Sequence, residues 1–229
     1  MAQAFADRVG GEVKKYSAFN ETGYGTYLSS ANQNYDSLKV DKMWYSLPLG
    51  DQVTFTAGPK IENYYMHGTT PSIYKPVLKQ FTLGGNAAAY GASTSPGAGL
   101  TWTSDSGLAL STNFTTQKGN STGLLTDEGL DAYGVNAMYT GDTYGISLSY
   151  ATTEATTTSD DNYTALNAYW APEGFPSVSI GYEWGTDGSE VAAQDGLTSY
   201  FVGLMFEDVG PGTLAVSYTH LTLPTTLVV

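Results

Sequence analysis

The sequence predicts an all-β protein, an antiparallel transmembrane β-barrel that crosses a bilayer on tilted strands. Three observations carry that expectation. Apolar residues recur at every second position over much of the 229-residue chain, with small polar residues between them. Tyrosine and tryptophan stand at the ends of these apolar stripes, where amphipathic rings meet the two water interfaces of a bilayer. Short turns largely alternate with longer polar loops, the pattern of outer-membrane barrels.

The run from Asp131 to Thr152 shows all three features. On its first arm Tyr133, Val135, Ala137 and Tyr139 share a face, and Gly134, Asn136 and Met138 share the other. After the turn Thr140–Thr143, Tyr144, Ile146, Leu148 and Tyr150 oppose Gly145, Ser147 and Ser149. Asn136 and Ser147 are expected to face water, and Val135 and Leu148 to face lipid.

The other elements follow in chain order. Residues 1–37 form a weakly patterned N-terminal piece, residues 38–218 a partial barrel, and residues 219–229 an atypical tail with a proline at Pro224, read either as an irregular terminus or as non-native sequence. Met43, Tyr45 and Leu47 alternate up to a turn at Pro48–Asp51, and Val53, Phe55 and Ala57 alternate after it. Residues 61–80 contain Pro71 and Pro76 and read as a long loop. Leu100 and Trp102 precede the turn Ser104–Gly107, and Leu108, Leu110, Thr112 and Phe114 follow it. Residues 116–130 read as a polar loop, and the Thr-rich acidic run after Thr152 as a solvated one. Leu166, Ala168 and Trp170 lead to the turn Pro172–Pro176; Val178, Ile180, Tyr182 and Trp184 follow. After an acidic loop come Tyr200, Val202, Leu204 and Phe206, the turn Asp208–Gly212, then Leu214, Val216 and Tyr218. About ten strands result, each near the roughly 9–11 residues that cross a bilayer at a tilt.

Composition narrows the function classes. No run of 18 apolar residues exists, which excludes a spanning helix. Cysteine is absent, so no disulfide framework or thiolate metal site can form. A net charge of −13, with 9 basic against 22 acidic residues, argues against nucleic acid as a partner. The opening run MAQAFADRVGGEVKK lacks the order of a signal peptide, which leaves a cytosolic chain or a fragment without its front end, and the fragment is the expectation. No catalytic, cofactor-binding or metal-binding set stands out. The two histidines, His67 and His220, are far apart in sequence, and phosphate-loop, zincin and nucleophile-elbow motifs are absent. Asp127–Glu128 and Asp160–Asp161 match no calcium-loop spacing and read as solvated acids.

The stretch LKVDKMWYSLPLGDQVTFTAGPKI resembles cyanobacterial outer-membrane porins of the carbohydrate-selective OprB type. Val40–Asp41–Lys42, Tyr45–Ser46–Leu47–Pro48, Gly50–Asp51 and Gly58–Pro59 carry the resemblance. Tyr139–Thr140–Gly141–Asp142, Ala168–Tyr169–Trp170 with Pro172–Glu173, and Tyr200–Leu204 agree with it. The resemblance implies a non-enzymatic barrel in a Gram-negative-type outer membrane, commonly homotrimeric, that lets small hydrophilic solutes such as sugars or inorganic ions diffuse passively without a cofactor. It also implies about 16 strands, more than the ten or so found here. An S-layer-homology segment, usual in cyanobacterial members, does not appear.

If the barrel conducts, its selectivity lies on the polar face and in any loop folded into the lumen. By phase the lining candidates are Lys42, Lys60, Asn113, Asn136, Asn167 and Glu183. The 61–80 loop adds Glu62, Tyr64, Tyr65, Lys75 and Lys79, and is long enough to fold inward. Two other readings stand beside the channel: a structural or adhesive barrel with a plugged lumen, and a secreted soluble β-sandwich that binds carbohydrate. The sandwich would bury the apolar face and expose the polar one.

Overall fold

The structure is a computed structural model that describes residues 11–14, 39–68, 89, 94–156, 159–186, 196–210 and 212–222. One sheet of eleven strands runs in strict sequence order. The strands are β1 (Gly11–Lys14), β2 (Lys39–Pro48), β3 (Val53–Glu62), β4 (Thr94–Thr103), β5 (Leu108–Thr116) and β6 (Asp131–Thr140), followed by β7 (Tyr144–Thr156), β8 (Ser159–Trp170), β9 (Ser177–Thr186), β10 (Leu197–Val209) and β11 (Gly212–Thr222). Every neighbouring pair is antiparallel. Among the described residues no pairing joins β1 to β11, so the sheet is an open arc. No described helix is long and apolar enough to cross a membrane.

The short connections are tight because glycine supplies the backbone they need. Gly107 closes the β4–β5 turn at φ +90°, a region that side chains rarely adopt. Its carbonyl accepts the Thr140 N–H at 2.9 Å, which ties this turn to the next one along the sheet. A Cβ at Gly107 would collide with the Thr140 carbonyl oxygen.

The structure departs from the sequence reading in four places. The acidic, threonine-rich run after Thr152 is strand, not loop: β7 continues to Thr156 and β8 starts at Ser159, with Glu154 opposite Asp160. Once the hairpin register is set, β-branched threonines extend it readily. The polar segment 116–130 holds a single helical turn, Gly119–Thr122, and a 3-10 turn, Asp127–Gly129. β1 recruits part of the weakly patterned front, pairing Gly11 with Met43. At the other end β11 runs past Tyr218 to Thr222, opposite Thr198, so residues 219–222 of the atypical tail join the sheet.

Two adjacent rows of cross-strand neighbours define the faces. One runs Val53, Trp102, Leu110, Ala137, Leu148, Leu166, Tyr182, Tyr200 from β3 to β10. The next, one residue along each strand, runs Thr54, Thr101, Ser111, Asn136, Ser149, Ala165, Glu183, Ser199. In the first row Leu110, Leu148, Leu166, Tyr182 and Tyr200 are each more than two-fifths exposed. In the second, Ser111, Asn136, Ser149, Ala165 and Ser199 are buried. The described helical turns are too short to form a second layer. A single sheet shields one face in this way by curling around it, so the polar face is the concave one.

Aromatic rings mark both ends of the exposed band. Near the short turns Tyr139 and Tyr144 lie with ring centroids 6.0 Å apart, and Trp170 stands opposite Tyr144. Towards the long loops Phe114 meets Tyr133 at 5.3 Å, Tyr182 meets Trp184 at 5.5 Å, and Tyr200 meets Tyr218 at 5.9 Å. Tyr144 and Tyr150 are six residues apart, roughly 20 Å along the strand. That span suits the apolar band of a membrane barrel.

Candidate functional site

The concave face is built from side chains that strand parity turns inward. Asn136 donates from Nδ2 to Ser149 Oγ at 2.6 Å across the β6–β7 pair. Ser111 Oγ, Asn113 Nδ2, Asn136 Oδ1, Ser179 Oγ and Ser199 Oγ are buried without a protein hydrogen-bond partner among the described residues. An apolar core would make each such atom costly, by about 1–3 kcal/mol. A face lined by serine, threonine and asparagine is polar enough to hold ordered water at such atoms.

A segment of the chain lies against it. After β3 a 3-10 turn, Asn63–Met66, packs against β4 and β5. Asn63 Nδ2 donates to Asn113 Oδ1 at 2.9 Å, and Thr115 Oγ1 donates to Asn63 Oδ1 at 3.2 Å. Thr101 Oγ1 donates to the Met66 carbonyl at 2.7 Å. Gly99 makes room for this approach: a Cβ there would stand 2.7 Å from Met66 Cβ and 3.0 Å from the Thr112 carbonyl oxygen. Further on, Ala89 packs on Ala165 of β8, and its N–H donates to Glu183 Oε2 of β9 at 2.8 Å. The connection between β3 and β4 thus touches the concave face at two distant places.

A charged and aromatic cluster marks where the segment leaves β3. Lys42 and Glu62 form an ion pair at 3.2 Å, both side chains nearly buried. The Lys42 ammonium donates to Tyr65 Oη at 3.2 Å and lies 5.0 Å from the centroid of that ring. Tyr65 meets Trp44 edge-on at 5.1 Å and Tyr64 at 4.7 Å. Burial, and then the Glu62 carboxylate, hold the Tyr64 hydroxyl well above its ordinary range. Burial also lowers His67 to about 4. His67, Asn63, Ala89 and Asn113 line a small gap between the segment and the wall.

The sequence-derived lining residues fall into four groups. Lys42, Glu62, Tyr64 and Tyr65 come together in the cluster. Asn113, Asn136 and Asn167 are buried on the concave face, and Glu183 lies there at the Ala89 contact. Lys60 is placed differently. A bulge between Gly58 and Ile61 shifts the strand by one residue, so Lys60 stands opposite Met43 on the exposed side and donates to the Val40 carbonyl at 3.3 Å. Lys75 and Lys79 lie outside the described residues. Sequence reasoning missed Asn63, His67, Ala89 and Thr101. Ala89 sits in a run of glycine and alanine with no period to read.

No family model matches the chain, and no curated protein matches it in sequence. Solved structures do match. A double mutant of the Rh. blastica porin aligns with a TM-score of 0.50 at 12% identity, over 83% of this chain and 65% of that one. A second mutant of the same porin aligns at 0.48 and 13% identity, with the same coverage. In-vitro folded OmpT, an outer-membrane protein of Vibrio cholerae in a trimer form, aligns at 0.47 and 11% identity, over 82% of this chain and 71% of that one. The chain spans about two thirds of the length of the Rh. blastica porin, 65%. The fold is an all-β antiparallel sheet of the kind that forms a bacterial outer-membrane porin wall.

Proposed function

We propose that the chain is part of the wall of an outer-membrane porin through which small hydrophilic solutes diffuse passively. The observation that carries this reading is the inverted burial of the two rows: leucine and tyrosine exposed, serine and asparagine shielded. Water gives no reason for that arrangement, whereas lipid outside and a wet passage inside give one. The pairs Lys42–Glu62 and Tyr64–Tyr65, with Asn113, Asn136, Asn167 and Glu183, form the lining that solutes would meet; Lys75 belongs to the same connection. The sequence resemblance supports the finer reading of an OprB-type porin, homotrimeric when full-length, in a Gram-negative-type outer membrane of a cyanobacterium, passing sugars or inorganic ions.

Reconstitution of the full-length protein into planar bilayers tests the reading. Stepwise conductance is expected, with permeant sugars lowering it in proportion to their occupancy. A second reading, a structural or adhesive barrel with a plugged lumen, draws on the segment Asn63–Gly68 packed on the concave wall. It gives the same strands and silent bilayers. Extraction into buffer without detergent would sink both in favour of a soluble domain.

A further inference from the structure

We propose that Glu183 is a positioning residue whose carboxylate anchors the β3–β4 connection, at Ala89, to the far wall formed by β8–β10. By doing so it sets how far that connection stands into the passage. The proposal rests on the reading of the concave face as a passage lining, and it deepens that reading.

The concave row from Thr54 to Ser199 is small and neutral at seven of its eight positions; Glu183 is the exception. Its two neighbours in the row are Ala165 on β8 and Ser199 on β10, side chains too short to cover it. A long carboxylate between two short residues reaches off the wall, and Ala89 occupies the space left open beside it. Ala89 is 1% exposed and Ala165 0%, with Tyr64 and Tyr163 packed around the pair. A backbone N–H buried this deeply needs an acceptor. The Glu183 carboxyl oxygen Oε2 provides one at 2.8 Å. The same connection is held to the opposite side by neutral bonds, Asn63 to Asn113 and Thr101 to Met66. One connection is thus pinned to two separate parts of the arc.

These 229 residues contain no cysteine, so Ala89→Cys adds a single reporter to them; the substitution is made in the full-length protein, with any cysteine elsewhere replaced by serine, folded into detergent micelles or vesicles. A maleimide should modify this cysteine slowly in the parent, and about tenfold faster when Glu183→Leu removes the acceptor. Glu183→Gln keeps an acceptor oxygen and should stay within about threefold of the parent. Equal rates in the parent and the leucine variant, or equal rates in the glutamine and leucine variants, would overturn the proposal. With Glu183 intact, the pair Ala89→Cys and Ala165→Cys should form a disulfide on mild oxidation. Absence of that bond overturns the docking whether or not the leucine variant folds. Labelling and cross-linking need no current, so bilayers silent for every variant would sink the passage reading and leave the anchoring standing. Where current flows, both variants remove the ionisable group and only leucine removes the acceptor, so Glu183→Leu should change the single-channel conductance by more than Glu183→Gln does; equal changes, or a leucine variant that labels fast yet conducts like the parent, would remove the role in setting the passage.

Discussion

Two rows of residues, one position apart on the same strands, live in opposite surroundings. Leu148 is half exposed and its chain neighbour Ser147 is 2% exposed; Val135 is half exposed and Asn136 is 4%. Backbone geometry, register and hydrogen bonding are shared, so only the solvent on each side distinguishes them. The difference teaches that the sheet is a partition. On the proposed reading its apolar row meets lipid, and its polar row meets water and the docked segment.

The comparison breaks most visibly by placing a charge on the outer row. Leu148→Arg should destabilise the protein folded in lipid vesicles by about 2–4 kcal/mol, read from urea unfolding. A soluble domain would tolerate the same change at a half-exposed position almost without cost, so an effect within about 0.5 kcal/mol would reject the lipid assignment.

Acid should act next, on the inner side. His67 is held at about 4 by burial against an ordinary 6.5. The unfolded state therefore binds more protons between these values, and stability is lost as the pH falls from about 6.5 to about 4. The full effect is up to roughly 3 kcal/mol. A His67→Phe variant should flatten that part of the profile, as followed by urea midpoints across the range. An unchanged slope would show that His67 does not carry it.

Gly99→Val tests the seat of the inner segment. Its side chain would meet Met66 and the Thr112 carbonyl, and overpacking of this kind costs about 1–3 kcal/mol. The smallest effect belongs to Asn136→Ala, which removes the 2.6 Å bond to Ser149 but leaves the wall intact. About 1 kcal/mol is expected, because water can replace the lost partner. A loss several times larger would mean that the inner row is dry.

Much of this partition is legible in the sequence, because parity is local. Tyr133 to Tyr139 and Tyr144 to Tyr150 announce their face without knowledge of any partner, and the turns between strands carry their own glycines. Lys60 shows where parity alone fails. The Gly58–Pro59 pair before it carries the signal of a bulge, since proline has no N–H for the ladder. Read strictly by twos, the strand puts Lys60 inside; the bulge turns it out to face the side of Met43. Composition misleads at Thr152 to Asp160, where an acidic, threonine-rich run looks solvated but is held extended by its partner strand. The Ala89–Glu183 contact has no local trace at all. It depends on two segments 94 residues apart that only the tertiary fold brings together.

That separation has a consequence for how the molecule comes together. Every strand pairs only with those before and after it in sequence, so the sheet can grow one hairpin at a time, across short turns and longer loops in alternation. The Ala89 N–H is the exception, since its acceptor does not exist in place until β9 has joined β8. The first part of the inner connection can seat as soon as β4 and β5 are in place, through Asn63 and Met66, but its second seat at Ala89 must wait until the wall has reached β9.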